Sequence, residues 1–353
     1  MGLTAGASAL SLTAVPQEVI GGLGVGAWAP KNREKSVVSK RALVFPGQGS
    51  QTVGMGSELI AAFPSAREVW GEVDDALGEH LSRLVAEGPI DTLTLTENAQ
   101  PALLAASLVV MRVLEREGGF DLSESAAFVA GHSLGEYTAL TAAGALTLRD
   151  AVRLVRTRGL AMQRAVPVGT GAMAALMGTE LEQGERIARE AAHATGLVCS
   201  AANDNGGGQL VVSGHKEAVE KAIALAAEKG IKRAIMLSVS APFHSPLMQP
   251  AADVMAAELA ATAIAVPLVP VVANTTALPV RDPETIRRLL VEQVTGLVRW
   301  RESVQHLKGE GIEEIVEIGA GKVLAGLVRR IDKDVAVRSI GTPADVEAFL
   351  KTL

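Results

Sequence analysis

Short apolar runs alternate with helix-like stretches along the first half of the chain. Runs of consecutive apolar residues predict buried strands at 42–45 and 126–130. Apolar residues that recur at helical spacing predict helices at 98–114 and 148–164. Because strands that alternate with helices form parallel sheets covered on both faces, this pattern predicts an α/β fold with a mostly parallel sheet.

A different order of elements begins near residue 168. Strand, helix, strand, strand, helix, strand is the order predicted from there to residue 237, and it is the order of a ferredoxin-like unit. We therefore predict a small ferredoxin-like subdomain at 168–237. It is inserted into a larger α/β body made of 41–167 and 238–353, with a cleft where the two meet.

Residues 1–40 differ in kind from the rest of the chain. The first thirty are rich in glycine, alanine, serine and leucine and include no basic residue, so they fit neither a secretory signal nor a mitochondrial presequence. We predict a disordered extension outside the fold, or the product of an upstream start codon. A functional tail is the alternative interpretation.

Composition and charge exclude several classes of protein. Of the 353 residues, 48% are hydrophobic and 20% are charged, which is typical of a soluble globular protein. A net charge of −6 argues against a general nucleic-acid binder. The single cysteine, Cys199, excludes an internal disulfide and fits a reducing, cytoplasmic compartment. The histidines and this cysteine lack the spacing of metal ligands, so no metal site is expected.

Residues 131–135 read Gly-His-Ser-Leu-Gly, which is the Gly-x-Ser-x-Gly pattern of serine nucleophiles. The pattern lies between a predicted strand and a helix predicted at 136–143, and this context is the one that the motif requires. The two glycines permit a sharp turn that leaves the Ser133 hydroxyl exposed, and the Leu134 N–H can donate to a developing oxyanion. A serine that only caps the helix is the alternative.

A serine nucleophile needs a base within hydrogen-bond reach, and His244 is the candidate left by elimination among six histidines. The others lie in surface-type helix patterns, on the outer helices of the subdomain or, for His132, beside Ser133 with the ring expected to point away. His244 follows the last predicted strand of the subdomain, which returns the chain to the cleft. As a lone residue it would be interpreted as a packed loop histidine.

Four motifs, at 46–51, 131–136, 242–245 and 317–324, occur in one order along the chain. With these motifs the chain closely resembles the malonyl-CoA:acyl carrier protein transacylases of type II fatty acid biosynthesis. The resemblance implies an α/β-hydrolase-like body with an inserted ferredoxin-like subdomain. It also implies a ping-pong acyltransferase, in which a serine takes malonyl from malonyl-CoA and gives it to the phosphopantetheine thiol of acyl carrier protein. Malonyl-CoA is a substrate, and no bound cofactor is implied.

The resemblance assigns the catalytic roles residue by residue. Ser133 matches the nucleophile of the family and His244 matches its base. Gln48 matches the glutamine of the first glycine turn, whose backbone N–H joins that of Leu134 in the oxyanion hole. Gln293 matches a residue whose main-chain carbonyl holds the catalytic imidazole.

Four further residues are carried over as substrate-binding. Arg158 lies in the Arg-Gly-x-x-Met-Gln pattern of the arginine that binds the substrate carboxylate, for which a guanidinium offers a planar, two-pronged partner. Asn203 and Asn205 match asparagines near the substrate. Their loop has three consecutive glycines where the family often has proline, which leaves their role open. In related acyltransferases a bulky phenylalanine before the base accompanies malonyl selection, because an α-methyl branch would collide with the ring. The resemblance therefore implies that Phe243 favours malonyl over methylmalonyl. Ordinary packing is the alternative for this phenylalanine.

The implied partner is typically acidic, so we expect a basic rim beside the cleft. The candidates are Lys322, Arg329, Arg330, Arg153 and Arg156. We expect a monomer that binds neither nucleic acid nor membrane.

Three alternatives stay open from the sequence. A serine hydrolase would use the same Ser133 and His244 with water as the acceptor. A non-catalytic scaffold would bind the carrier protein only. An acyltransferase domain of a modular polyketide synthase would share the motifs.

Overall fold

The computed structural model describes residues 40–239 and 241–353, and two separate sheets organise them. The strands of the larger sheet are β1 (Arg41–Phe45), β2 (Phe128–Gly131), β7 (Val271–Val272), β8 (Pro279–Val280), β9 (Glu314–Ile318) and β10 (Ala336–Ile340). Those of the smaller sheet are β3 (Gly171–Met177), β4 (Cys199–Asp204), β5 (Gln209–His215) and β6 (Arg233–Met236).

Helices connect most of these strands. Those before the smaller sheet are α1 (Ser57–Ala62), α2 (Pro64–Leu77), α3 (Leu81–Glu87), α4 (Ile90–Thr94), α5 (Thr96–Gly118), α6 (Leu122–Ser125), α7 (Leu134–Ala142) and α8 (Leu148–Arg164). The others are α9 (Leu181–Thr195), α10 (Lys216–Glu228), α11 (Gln249–Ala261), α12 (Pro283–Thr295), α13 (Trp300–Gly309), α14 (Val323–Ile331) and α15 (Pro343–Leu350). Among the described residues, no helix has both the length and the apolar character to cross a bilayer.

The larger sheet has the order β10-β9-β1-β2-β7-β8 and is parallel except for the pair β7–β8. Its central strands β1 and β2 are buried on both faces, as their uninterrupted apolar runs predict. Phe45 pairs with Gly131, so both strands end at the same level. The glycine-rich turn after β1 and the Gly-x-Ser-x-Gly turn after β2 therefore meet at the carboxyl edge of the sheet, where ligands of open α/β folds bind.

Helices α5 and α8 pack against each other beside this edge. Gly159 lies at a close contact between them, where an added Cβ would lie 2.6 Å from the Cα of Glu97. Only glycine fits such a contact, and it brings the neighbouring Arg158 into the interior. Helix α5 ends where Gly119 takes a left-handed φ of 61° and donates its N–H to the carbonyl of Leu114.

The smaller sheet is antiparallel with the order β4-β5-β3-β6, and α9 and α10 connect its strands, which is the ferredoxin-like arrangement. It joins the larger body through backbone hydrogen bonds that Val298 makes with Asp204 and Ala202, both 2.9 Å long. The predicted mixed α/β fold class is confirmed. The exact boundary at 168–237 stays a prediction, and the predicted extension lies outside the described residues apart from Lys40.

Candidate active site

Ser133 stands at a sharp turn between β2 and α7, with φ 54° and ψ −111°. A non-glycine residue with a positive φ is strained, and the close packing of the neighbouring glycines holds Ser133 in this conformation. A Cβ on Gly131 would lie 1.9 Å from the carbonyl of Gly135, and a Cβ on Gly135 would lie 2.2 Å from the carbonyl oxygen of Phe45. Both glycines of the motif are therefore sterically required, and the strand–turn–helix context predicted for Ser133 is present.

The imidazole of His244 lies against the Ser133 hydroxyl, with 2.7 Å between Nε2 and Oγ. Its Nδ1 lies 2.9 Å from the main-chain carbonyl oxygen of Gln293. A carbonyl oxygen can only accept, so Nδ1 carries the proton and Nε2 presents a lone pair to the hydroxyl. His244 is 4% exposed, and its own φ of 56° makes it the second strained residue of the site. This is the arrangement of a serine with its general base.

Burial, followed by the nearby charge of Arg158, lowers the pKa of His244 to about 3, although the hydrogen bond to the Gln293 carbonyl opposes this shift. A histidine with a lowered pKa stays neutral, and so stays a base, at pH values where an ordinary imidazole is protonated. We therefore predict that kcat/KM for acylation does not fall between about pH 6.5 and pH 5, where an ordinary histidine base would lose activity. A stopped-flow pH profile of acylation measures this, and a decline centred near pH 6.5 would contradict it.

The guanidinium of Arg158 reaches the same point from α8 and is 1% exposed. Its Nη2 donates to Ser133 Oγ over 3.1 Å and to Gln293 Oε1 over 2.9 Å, and its Nη1 donates to Gln100 Oε1 over 2.7 Å. All three acceptors are uncharged. Within residues 40–239 and 241–353 no carboxylate makes an ion pair with it. A buried cation held by neutral groups is ready to receive an anionic ligand.

Ser133, His244 and Arg158 open into one cavity of about 310 Å³. Other predicted site residues that line it are Gln48, Leu134, Asn203 and Phe243. The two remaining predicted site residues, Gln293 and Asn205, do not line it. Gln293 is fully buried and acts from behind His244 and Arg158.

The two predicted oxyanion donors lie on opposite turns of the cavity. Leu134 is the first residue of α7, so its N–H has no acceptor in a preceding helical turn. The helix dipole also favours negative charge at this end. Gln48 belongs to the turn after β1, and its side-chain Oε1 accepts a hydrogen bond of 3.0 Å from Thr96 Oγ1. This bond anchors the side chain of Gln48, which lines the cavity.

Asn203 and Asn205 are placed differently from each other. Asn203 lies in β4, one residue before its end, and lines the cavity, whereas the Oδ1 of Asn205 lies 2.9 Å from Nε2 of His132. The glycines that follow are needed for packing, because a Cβ on Gly206 would lie 2.4 Å from Ile331 of α14. The loop is thus seated against the larger body without the proline that the family often has.

The residues predicted to form a basic rim differ in their exposure. The Arg156 side chain is 12% exposed and is engaged by Glu79 and by the carbonyl of Glu97. Arg156 is therefore mainly structural and offers little to a partner. Lys322, Arg329 and Arg330 are exposed on and beside α14.

Three buried residues that complete the site were missed in the sequence. Asn274 accepts from the Ser133 N–H over 2.7 Å and donates to the Gly131 carbonyl over 2.6 Å, so it spans the serine turn. Glu136 accepts from the side chain of Gln293, and Gln100 accepts from Arg158. Only Glu136 carried a signal, because it directly follows the Gly-x-Ser-x-Gly motif.

The fold and the cavity place the protein among the acyl transferases. The sequence model of the acyl transferase domain matches residues 42–343. The chain belongs to the malonyl CoA-acyl carrier protein transacylase family, as the four motifs predict. The member of that family from Escherichia coli (strain K12) is 45% identical over 310 residues, which cover 88% of this chain and 98% of the relative.

Solved structures agree with this assignment. The acyl-carrier-protein-S-malonyltransferase of Bartonella henselae has a TM-score of 0.86 and 52% identity, covering 88% of this chain and 98% of that one. A malonyl-transacylase in complex with a type II PKS acyl-carrier protein has a TM-score of 0.85 and 42% identity, covering 89% of this chain and all of that one (100%).

Proposed function

We propose that this enzyme moves malonyl from malonyl-CoA to the phosphopantetheine thiol of acyl carrier protein in fatty acid biosynthesis, through a malonyl ester of Ser133. The observation that carries the proposal is the meeting of Ser133, His244 and Arg158 within hydrogen-bond distance at one cavity. Nucleophile, base and carboxylate partner are the three functions that this transfer needs. The names of the most similar relatives support the same substrate and acceptor.

Acylation begins when Nε2 of His244 takes the proton of the Ser133 hydroxyl while Oγ attacks the thioester carbonyl. The backbone N–H groups of Gln48 and Leu134 receive the negative charge of the tetrahedral intermediate. The carbon–sulfur bond then breaks, and the imidazolium returns the proton to the departing thiolate of coenzyme A. The carbonyl of Gln293 stabilises the imidazolium through Nδ1–H, in the place that a carboxylate takes in a triad.

Transfer to the carrier protein repeats these steps in reverse order. His244 takes the proton of the phosphopantetheine thiol, and the sulfur attacks the ester carbonyl of malonyl-Ser133. The carbon–oxygen bond breaks, and Ser133 recovers its proton from the imidazolium. Arg158 binds the malonyl carboxylate throughout, so the acyl group stays oriented between the two half-reactions.

Location, oligomeric state and the docking surface of the carrier protein stay predictions. We place the enzyme in the cytoplasm as a monomer, with Lys322, Arg329 and Arg330 facing the acidic partner. The ring of Phe243 borders the cavity and supports the preference for malonyl over methylmalonyl.

Intact-protein mass spectrometry tests the proposed function. Wild-type enzyme mixed with malonyl-CoA should gain one malonyl group, located on the peptide that contains Ser133. Phosphopantetheinylated acyl carrier protein should then remove that group and carry it. Rapid loss of the adduct to water without the acceptor would identify a hydrolase instead, and the absence of any adduct would contradict a covalent mechanism.

The Arg158→Ala enzyme should lose its preference for malonyl-CoA over acetyl-CoA by about ten- to a hundredfold, because a charge-assisted hydrogen bond contributes about 1.5–3 kcal/mol. The ratio of the two kcat/KM values measures this preference. Arg149→Ala, an exposed arginine of the same helix, is the matched control and should leave the ratio unchanged. An unchanged ratio in Arg158→Ala would remove Arg158 from the substrate site.

A further inference from the structure

The buried charge of Arg158 needs compensation before any substrate arrives. Desolvation of a guanidinium is costly, and its three side-chain acceptors, Gln100, Ser133 and Gln293, carry no formal charge. A carboxylate in direct contact would solve this problem but would also occupy the donors that a substrate needs. The structure instead places a carboxylate one side chain away from the guanidinium.

Gln293 lies between Arg158 and the buried carboxylate of Glu136. Its Oε1 accepts from Nη2 of Arg158 over 2.9 Å, and its Nε2 donates to Oε2 of Glu136, also over 2.9 Å. The reverse orientation of the amide would place its NH₂ against the guanidinium and its oxygen against the carboxylate, so the network fixes the orientation. The amide dipole is thus aligned between a cation and an anion.

Glu136 is itself firmly held. It is 3% exposed, and its Oε2 also accepts from the Asn274 N–H over 3.0 Å. The side chain of Asn274 in turn accepts from the Ser133 N–H and donates to the Gly131 carbonyl. The carboxylate therefore has a fixed position next to the serine turn, and Glu136 does not line the cavity.

We propose that Glu136 is the counter-ion of Arg158, acting through the side chain of Gln293, and that it sets how strongly the site prefers an acyl group with a carboxylate. This inference rests on the proposed function, in which Arg158 binds that carboxylate. Because Glu136 contacts Arg158 only through Gln293, its role is to position Arg158 and to tune its selectivity for the acyl group. Because Gln293 separates the charges, the guanidinium is partly neutralised by Glu136. Its Nε–H and one N–H of Nη1 have no acceptor among the described residues, so they remain available to substrate.

The charge of Glu136 is present under ordinary assay conditions. Burial raises its pKa to about 7, whereas hydrogen bonds from Gln293 and Asn274 and the charge of Arg158 oppose the rise. An assay at about pH 8 therefore compares a mainly ionised carboxylate with its neutral replacement.

The decisive variant is Glu136→Gln, in which the amide oxygen can still accept both N–H bonds while the negative charge is lost. We expect its preference for malonyl-CoA over acetyl-CoA, as a ratio of kcat/KM values, to rise about tenfold, because a less neutralised guanidinium attracts the carboxylate more strongly. If Glu136 is only a hydrogen-bond acceptor, both substrates change together. A ratio within about twofold of wild type would overturn the proposal.

Two variants separate charge from geometry and from burial. Glu136→Asp keeps the charge and should keep the ratio, even if both rates fall. Glu317→Gln removes another buried carboxylate, one that accepts from the backbone of α14, and should leave the ratio unchanged. A rise in either variant equal to that of Glu136→Gln would overturn the proposal.

A binding measurement covers the case in which turnover by Glu136→Gln is too low. In a Ser133→Ala background, malonyl-CoA should raise the Tm of the Glu136→Gln protein more than it raises the Tm of the protein with Glu136, while acetyl-CoA should raise both equally. Equal shifts with malonyl-CoA would overturn the inference. The proposed function is tested separately, because Arg158→Ala must lower the malonyl preference whether or not Glu136 controls it.

Discussion

The Ser133→Ala enzyme should gain no malonyl group from malonyl-CoA, and its rate of transfer to acyl carrier protein should fall by about four decades or more. The reason is the covalent step: with Oγ removed, no other described side chain offers a hydroxyl 2.7 Å from the base Nε2. Quenched-flow transfer assays give the rate, and intact-protein mass spectrometry gives the adduct.

A loss of activity in Ser133→Ala could also come from a loss of fold, and two measurements distinguish these causes. The variant should still bind malonyl-CoA, because Arg158 and the rest of the cavity remain, and its thermal unfolding should stay close to that of wild type. Ser238, which also lines the cavity, provides the matched control, and Ser238→Ala should keep the adduct. A malonyl adduct on the Ser133→Ala protein would place the nucleophile elsewhere.

Local sequence patterns predicted the strand before Ser133 and the helix that carries Arg158. The predicted strand 126–130 and the observed β2 overlap, and α8 has the bounds that its periodicity predicts. Short-range signals work here because β2 is buried on both faces and α8 is strongly amphipathic. Prediction was weaker for α5, which extends beyond 98–114 at both ends because tertiary packing and a glycine cap set its limits.

Contacts between distant segments could not be predicted in this way. Asn274 lies in an ordinary turn sequence, and its role arises only because β7 ends beside β2 in the sheet. The contacts of Gln293 are equally hard to predict from local patterns. Its hydrogen bond with His244 uses the main-chain carbonyl, which every residue possesses. The position of His244 was predicted by elimination and resemblance, and neither could give the orientation of its ring.

The site brings segments more than a hundred residues apart in sequence into hydrogen-bond contact, and the sheet order explains how. Parallel strands β1 and β2 end side by side, so the turns that follow them, with Gln48 and Leu134, lie at the same edge of the sheet. The chain after β6 returns to this edge with His244. Pro242 packs so closely on β3 that a Cβ on Gly171 would lie 2.3 Å from its ring. The smaller sheet therefore helps to position His244 as well as one wall of the cavity.

The second large effect is expected for His244→Gly, which should slow acylation of Ser133 by about a thousandfold or more. Nε2 is the only basic atom that the described structure places 2.7 Å from Oγ, and the carbonyl of Gln293 can orient a proton but cannot remove one. Glycine is preferable to alanine here because His244 has a φ of 56°, which glycine adopts without strain. The substitution therefore adds no backbone strain at this position.

Rescue by added imidazole distinguishes loss of the base from loss of structure, because only a folded protein keeps the space that the ring leaves. Added imidazole should enter the cavity and restore part of the acylation rate of His244→Gly, with saturation at high concentration. His80→Ala, which removes a largely exposed imidazole, should acylate at the wild-type rate and gain nothing from imidazole. A His244→Gly enzyme within about tenfold of wild type would mean that Ser133 loses its proton to another group.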